Sequence, residues 1–247
     1  MLAALLIFLG TYFVMAWGHL PGSRIDRTGA AIIGASLMIG FGVLSMEEAY
    51  RAVDYNTIIL LFGMMIVVAN LRLSGFFAMV GARVLEHLHH PLGLLAAIIL
   101  VSGVFSAFFV NDTMCIVLTP LVLEIALGAG LNPVPYLLAV AMASNIGSVA
   151  TITGNPQNMM IGAFSQIPYR SFAGALSPIA AIGLIVAFGT IALIYRREFS
   201  EPRDVEAPPP RVRVNRFLMG KSLAVAVAMI VFFFLGWPVP KVALLAG

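Results

Sequence analysis

Long apolar segments constrain the fold of this chain more than any other feature. Five runs with at most one charged residue each cover residues 1–19, 28–45, 55–71, 174–195 and 217–236. A helix that crosses the hydrocarbon core of a bilayer needs about 20 predominantly apolar residues. The runs therefore predict transmembrane helices, and a further helix is expected to start at Lys241.

The composition excludes most classes of soluble protein. Hydrophobic residues make up 61% of the chain and charged residues 10%, whereas soluble domains carry about 45–50% and about 25%. The single cysteine, Cys115, excludes an intrachain disulfide, and a net charge of +3 is too small for a nucleic-acid-binding surface. The sequence lacks a P-loop, an HExxH motif and a nucleophile elbow. We expect an all-α polytopic membrane protein that is not an enzyme and has no nucleic-acid partner.

The segment between residues 93 and 164 differs from the other apolar runs because polar residues interrupt it. The interruptions are VNDT at 110–113, LNPVP at 131–135 and SNIGSVATITGNPQN at 144–158. Unwound backbone is costly in hydrocarbon and occurs only where protein or a water-filled cavity covers it. We predict a re-entrant helical hairpin over 93–127 and a discontinuous helix over 135–164, which together would form a site.

The distribution of lysine and arginine predicts the orientation, because short cytoplasmic loops collect basic residues. If 196–216 is cytoplasmic and the hairpin returns to the side from which it enters, eleven basic residues fall inside and three outside. The eleven are Arg24, Arg27, Arg72, Arg83, Arg196, Arg197, Arg203, Arg211, Arg213, Arg216 and Lys221, and the three are Arg51, Arg170 and Lys241. This predicts a multi-pass protein of the bacterial inner (cytoplasmic) membrane with its N-terminus outside.

Residues at the two interruptions are candidate ligands. In the hairpin, Asn111 or Asp112 is predicted to cap the second arm, which places an ionisable group within the membrane. In the discontinuous helix, Ser144-Asn145 is predicted to end the first half, and Asn155-Pro156 to begin the second as N-cap and first helical residue.

Gly147 and Gly154 are expected to permit tight backbone geometry, including positive φ at Gly154. Two helix N-termini would then point at a shared cavity, where their partial positive charge favours an anion. The freed carbonyls and the Asn, Ser and Thr oxygens suit a sodium ion. The same residues also cap and pack helices without a ligand, but two motifs with a carboxylate favour a site.

Other polar residues carry weaker expectations. Glu124 is assigned a structural role at the membrane interface, and Cys115 is expected to be a packing residue. His87, His89 and His90 cluster before Pro91 at a predicted cytoplasmic turn, where a metal site is not favoured.

Two motifs resemble those of the ion transporter superfamily, namely VNDTMCIVLTPLV (110–122) and ASNIGSVATITGNPQNMMIG (143–162). This superfamily includes divalent anion/sodium symporters, arsenite efflux permeases, sodium/proton antiporters and citrate-transporter-like permeases. The resemblance implies two inverted repeats, each with a re-entrant hairpin and an unwound helix, and an elevator-type motion. It further implies scaffold helices over 1–90, a transport half-domain over 91–195 and a cytoplasmic linker over 196–216. Residues 217–247 would be the start of a second, truncated repeat.

The resemblance also assigns residues to the site. Asn111, Asp112 and Thr113 match the hairpin-tip motif, and Ser144, Asn145, Gly147, Gly154, Asn155, Pro156 and Asn158 match the unwound-helix motif. A coupling sodium ion is expected at Asn111, Asp112, Thr113, Gly154 and Asn158. Two departures matter: dicarboxylate symporters have an uncharged SNT-type tip, and the arsenite and antiporter branches have GDPPN where this chain has GNPQN.

We therefore expect the N-terminal half of a secondary active transporter that moves a small anion and is coupled to sodium or protons. A sodium/proton antiporter or arsenite-type efflux permease is the first alternative, and a non-transporting membrane scaffold subunit is the second. Besides the coupling ion no cofactor is expected. The expected partners are the anionic substrate, the lipid bilayer, the missing C-terminal repeat and a second copy of the chain in a homodimer.

Overall fold

The computed structural model describes residues 2–18, 25–87, 90–200 and 214–247. Thirteen α-helices are assigned within these residues. The chain separates into two compact units, residues 1–54 and residues 55–247. The first contains α1 (Leu2–Trp17), α2 (Arg27–Gly40) and α3 (Met46–Ala52).

The second unit contains the remaining ten helices within the described residues. They are α4 (Tyr55–Leu73), α5 (Phe76–His87), α6 (Pro91–Phe108), α7 (Asn111–Gly128), α8 (Pro133–Ser148), α9 (Pro156–Ser165), α10 (Tyr169–Ile194), α11 (Arg196–Ser200), α12 (Arg216–Phe234) and α13 (Val239–Ala246). Five of them, α4, α6, α7, α10 and α12, are long and apolar enough to cross a membrane. The predicted all-α polytopic membrane protein is thus confirmed.

In the first unit, α1 and α2 are apolar but shorter than the predicted runs. α2 packs against α1 where Gly34 meets Thr11, and a Cβ atom at Gly34 would overlap the Thr11 hydroxyl. The predicted helix over 28–45 ends at Gly40, because Gly42 adopts a φ of +66°. The Val43 N–H then donates to Met38 O at 2.9 Å, which closes the helix in a left-handed C-terminal cap.

Outside these apolar helices, α3 begins with a reciprocal cap. The Glu48 N–H donates to Ser45 Oγ at 3.2 Å, and the Ser45 N–H donates to Glu48 Oε2 at 2.9 Å. The hydrogen bonds from Ser45 hold the pKa of the Glu48 carboxyl below its usual range. This capping box of Ser45 and Glu48 stabilises the turn between α2 and α3.

α6 and α7 form a helical hairpin over 91–128, where a re-entrant hairpin over 93–127 is predicted. α8 packs along both arms. Tyr136 Oη donates to Pro91 O at 3.4 Å near the start of α6, and Ser106 Oγ donates to Ser144 O at 2.7 Å near its end. α6 and α8 therefore run parallel, and α7, which returns to the start of α8, runs antiparallel to both.

Small residues allow α6, α8 and α10 to approach closely. A Cβ atom at Gly147 would overlap the carbonyl oxygen of Gly103, so these two helices meet backbone to backbone. The Leu184 side chain covers Gly103, and the Ile146 side chain covers Gly183, each about 2.7 Å from where a Cβ atom would stand. Such contacts are typical of helices packed within a membrane.

Basic residues are separated along the long helices of this unit. The Asn215 N–H donates to Ser74 O at 3.1 Å, so Arg72 and Arg216 lie at the same end of α4 and α12. At the other end of α12, the Phe233 ring lies 5.4 Å from the Tyr169 ring, next to Arg170. Arg72 and Arg216, predicted to lie inside, are thus near one end of α12, and Arg170, predicted to lie outside, is near the other end.

Candidate functional site

The discontinuous helix is broken between Ser148 and Pro156. α8 continues three residues beyond the predicted end at Ser144-Asn145. The helix continues through Asn145, whose Nδ2 donates to Ala141 O, one turn earlier, at 3.1 Å. The Ser144 side chain is buried against α6. Residues 149–155 form the connection to α9.

The predicted start of the second half is confirmed. Asn155 is the N-cap of α9, and its Oδ1 accepts from the Asn158 N–H at 2.8 Å. Pro156 occupies the first helical position, where the missing N–H costs nothing. Asn155 and Asn158 are both buried.

The side chain of Asn158 donates hydrogen bonds to carbonyl groups at the break between α8 and α9. Its Nδ2 lies 3.2 Å from Ser148 O, 3.3 Å from Val149 O and 2.9 Å from Thr151 O. Asn155 Nδ2 donates to Ser148 Oγ at 3.1 Å. Three backbone oxygens therefore converge on one point beside the α9 N-terminus.

Gly154 is required by close packing. A Cβ atom there would overlap the carbonyl oxygen of Ser148. Its φ lies outside the left-handed region, so the expected positive φ is wrong. The Gly154 carbonyl oxygen accepts from the Asn111 N–H at 2.9 Å, which joins the break directly to the hairpin tip.

At the hairpin tip, the predicted capping role of Asn111 or Asp112 is wrong. The N-cap of α7 is Val110, without a side-chain hydrogen bond, and Asn111 and Asp112 lie within the first helical turn. Asn111 Nδ2 instead donates to Asn145 Oδ1 at 3.0 Å. Asn111 Oδ1 is buried and has no hydrogen-bond partner among the described residues. The side chain of Asp112 is exposed and that of Thr113 is half-buried.

The structure thus brings together most of the predicted site residues. Asn111 contacts both Asn145 and Gly154, and Asn155 and Asn158 line the same break. Gly147 does not join them, because it packs against Gly103.

Three hydroxyl groups beside the break are not among the predicted site residues. Thr151 Oγ1 donates to Ala107 O in the last turn of α6 and lies 3.2 Å from Thr153 Oγ1. Tyr169 Oη lies 2.9 Å from Thr153 Oγ1. The alternating threonines of SVATIT were a signal for the first two, but Tyr169 lies outside both motifs.

The electrostatics of the site follow from three helix ends. The α7 and α9 N-termini lie side by side, because the first residue of α7 bonds to the residue before the α9 N-cap. Helix N-termini carry partial positive charge, and the C-terminal carbonyls of α8 carry partial negative charge. The arrangement can hold an anion and a cation next to each other.

The remaining candidates lie away from this centre. His90 caps α6, where its Nδ1 accepts from the Leu92 N–H at 3.1 Å. His89 and the side chain of His87 lie outside the described residues. Glu124 is exposed on α7. In the part of the chain that the structure describes, no group of three or more His, Cys, Asp or Glu residues could hold a metal ion.

An open cleft of about 450 Å³ lies on another side of the break. Its walls come from the start of α4, from α9 and the α9–α10 connection, and from the connection between α12 and α13. Ile152, Met159 and Tyr169 line it, whereas Asn111, Asp112 and Thr113 do not.

Comparison with known proteins identifies relatives about twice as long as this chain. The silicon efflux transporter LSI3 of Oryza sativa subsp. japonica is 36% identical over 193 residues, which are 78% of this chain and 40% of that protein. The "Putative transporter arsB" of Dictyostelium discoideum is 33% identical over 189 residues, 76% of this chain and 33% of that protein. An uncharacterized transporter of Mycobacterium tuberculosis is 28% identical over 200 residues, 79% of this chain and 47% of that protein.

The chain therefore spans less than half the length of these relatives. The match to the citrate transporter family covers residues 10–246 and includes both interrupted segments. The resemblance to the ion transporter superfamily is confirmed, and the chain belongs to the citrate transporter family.

Proposed function

We propose that this chain supplies one half of a secondary active transporter that moves a small anion across the bacterial inner membrane. The observation that carries the proposal is the direct contact between the hairpin tip and the break, made by the hydrogen bonds of Asn111 to Asn145 and Gly154. Two interrupted elements that meet in a membrane protein are the usual construction of a midplane transport site.

The anion would lie at the adjacent N-termini of α7 and α9. Of their first-turn N–H groups, those of Asn111 and Asn158 already donate to Gly154 O and Asn155 Oδ1, and the anion would bind to those of Asp112, Thr113 and Gln157. A helix N-terminus favours a negative charge by about 0.3–1 kcal/mol, or up to about 2 kcal/mol when partly buried. Because backbone donors form this cradle, it tolerates changes in side chains.

A coupling cation would lie on the oxygen side of the break. The carbonyl oxygens of Ser148, Val149 and Thr151 already converge on Asn158 Nδ2. A rotation of the Asn158 amide would turn its own oxygen toward the site and free these carbonyls for sodium, which takes oxygen ligands. Asp112, in the first turn of α7, would add the carboxylate that compensates the cation or carries a proton.

The hairpin over 91–128 would be re-entrant, with both ends on the cytoplasmic side, and residues 91–195 would move as an elevator against the scaffold. Arg216 begins α12, and Arg170 of α10 lies beside the other end of α12, which supports this orientation. The linker after α11 would then be cytoplasmic, in accord with the preference of basic residues for that side.

A sodium/proton antiporter or an efflux transporter of the arsenite type is the second candidate. The exposed Asp112 carboxylate at the tip favours it, because a fixed negative charge disfavours an anion unless a cation or proton neutralises it. The relative named as a silicon efflux transporter points to a small hydroxylated oxyacid as a further substrate class.

Flux measurements in proteoliposomes test these candidates. The transporter that contains this chain is reconstituted, and uptake of citrate, a dicarboxylate, arsenite and silicic acid is followed under an imposed sodium or proton gradient. We expect anion flux that requires one of the two gradients. Proton flux driven by sodium without any anion would favour the antiporter. Absence of flux for all cargos and gradients would contradict transport and favour a scaffold subunit.

A further inference from the structure

Three buried hydroxyl groups form a continuous hydrogen-bonded chain beside the break. Thr151, Thr153 and Tyr169 are each at most 4% exposed. Thr151 Oγ1 bonds to Ala107 O, Thr153 Oγ1 lies 3.2 Å from Thr151 Oγ1, and Tyr169 Oη lies 2.9 Å from Thr153 Oγ1. The chain thus links α10, the break and the last turn of α6.

The number of hydrogens limits the direction of these bonds, because each hydroxyl group has one hydrogen to donate. Thr151 donates its hydrogen to Ala107 O, so it can only accept from Thr153. When Thr153 donates its own hydrogen to Thr151 Oγ1 at 3.2 Å or to Phe108 O at 3.5 Å, Tyr169 is the donor to Thr153.

The threonine end of this row of hydroxyl groups stabilises the position of the hairpin tip. Ala107 and Phe108 are the last two residues of α6, immediately before the two residues that join α6 to α7. Their carbonyl groups belong to the last turn of a helix and have no intrahelical donors. Unsatisfied carbonyls at membrane depth are costly, so hydroxyl donors from the break stabilise the position of the tip.

The Tyr169 end of the row of hydroxyl groups lies where the predicted transport half-domain meets the predicted second repeat. The Tyr169 ring packs against Phe233 at 5.4 Å and Phe234 at 5.1 Å, both at the end of α12. Tyr169 belongs to the predicted transport half-domain, and α12 belongs to the predicted second repeat. The cleft of about 450 Å³ lies between these parts, and Tyr169 is one of its lining residues.

We propose that Tyr169 is a positioning residue that couples the geometry of the break to the contact between the transport half-domain and α12. While the ring is held on Phe233 and Phe234, the hydroxyl group holds Thr153, and the tip and break keep the geometry that binds the cation. Movement of the half-domain past α12 withdraws the hydroxyl group and loosens the break. This inference rests on the proposed function.

Removal of the Tyr169 hydroxyl group alone tests the coupling. Tyr169→Phe keeps the ring on α12, and Tyr195→Phe, at the other end of the same helix, is the matched control. Hydrogen–deuterium exchange in the detergent-solubilised transporter reports the peptide that covers 149–155, in which the Gly154 N–H donates to Thr151 O. We expect exchange there to rise about threefold to tenfold in Tyr169→Phe, as the loss of one buried hydrogen bond implies, and to stay unchanged in Tyr195→Phe.

A second measurement separates positioning from packing. In proteoliposomes, the half-saturating concentration of the coupling cation should rise about threefold to tenfold in Tyr169→Phe, with a smaller change in maximal rate. Thr153→Val should raise the half-saturating concentration to the same extent. Thr153→Ser keeps a hydroxyl group and should leave that concentration at its original value. The double variant Tyr169→Phe/Thr153→Val should be no worse than the more severe single variant, because both remove the same chain.

The outcomes distinguish this inference from the proposed function. Unchanged exchange at 149–155 in Tyr169→Phe overturns the positioning role, even if flux remains dependent on sodium or protons. Additive effects in the double variant overturn it as well. Raised exchange with no flux under any gradient supports the positioning role and contradicts the proposed function.

Discussion

Among single residues, substitution of Asp112 distinguishes a structural role of its carboxylate from a functional one. It lies in the first turn of α7, where a carboxylate gains about 0.3–1 kcal/mol from the helix dipole. Asp112→Asn keeps the size and polarity of the side chain. We expect it to reduce transport at least tenfold or to shift its sodium or pH dependence, with expression unchanged, since the proposed role of the carboxylate is to compensate the cation.

The matched control for Asp112 is Glu124→Gln, which removes an exposed carboxylate from the other end of the same helix. It should leave transport within about twofold of the original protein, because the helix-dipole contribution of a distant exposed charge is small. Initial rates over a range of pH and sodium concentrations are the measurement. Kinetics of Asp112→Asn that match those of Glu124→Gln would assign Asp112 a structural role.

Asn158 carries a prediction on both stability and ligand binding. Asn158→Ala removes a donor shared by three carbonyl oxygens. Ser148 O and Thr151 O keep bonds from Asn155 Nδ2 and the Gly154 N–H, so the cost is that of one buried unsatisfied group, about 1–3 kcal/mol. We expect a lower unfolding temperature in detergent and loss of the additional stabilisation by sodium. Gln157→Ala, at the exposed neighbouring position, is the control and should retain that stabilisation. Equal sodium responses in the two variants would remove Asn158 from the cation site.

Gly154 is predicted to tolerate no side chain. The Cβ atom of Gly154→Ala would overlap Ser148 O, so the break must shift at a cost of about 1–3 kcal/mol. Loss of substrate-dependent thermal stabilisation is expected, because the N-terminus of α9 moves with the break. Gly174→Ala introduces the same methyl group where nothing lies within 4 Å and should be neutral. Wild-type stabilisation of Gly154→Ala by substrate and sodium would place this break outside the site.

Local signals were predictable from the sequence at this scale, and distant contacts were not. Asn155 and Pro156 were assigned correctly because a helix start is encoded within about four residues. The Tyr169–Thr153 bond joins residues 16 positions apart, and the Thr151–Ala107 bond joins residues 44 positions apart. Such pairs depend on how helices cross, which hydrophobic periodicity does not specify.

At the scale of helices, apolar runs predicted the existence of spans better than their ends. α10 starts at Tyr169 instead of 174, directly after Pro168, and α2 ends at Gly40 because of the left-handed Gly42. Glycine and proline determined both boundaries. The α8 end was placed three residues early, because a mid-helix Asn that bonds one turn back gives the same sequence signal as a terminus.

The hairpin itself leads to a test of topology. If 91–128 enters and leaves on one side, Leu92 and Gly128 are accessible from the same face of the membrane. Single cysteines at these positions, in a Cys115→Ala background, should react with an impermeant thiol reagent only from the cytoplasmic face. A cysteine at Arg170 is the control and should react only from the outside. Labelling of Leu92 and Gly128 from opposite faces would contradict the hairpin topology.

The chain as a whole spans less than half the length of the relatives described. The chain covers 33–47% of the relatives described, and the proposed mechanism requires two repeats that face each other across the site. In the proposed mechanism this chain would provide the N-termini of α7 and α9 but only one side of the site. We expect these 247 residues alone to insert into the membrane without carrying flux.

Coexpression tests this expectation, because the second half should supply the missing side. The second half of a full-length citrate transporter family relative, added as a separate chain, should restore gradient-dependent flux and sodium-dependent thermal stabilisation. The same pair with Asp112→Asn should still assemble but lose flux, which separates assembly from function. Flux from the 247 residues alone at the level of the assembled pair would show that one repeat is sufficient and would contradict the two-repeat mechanism.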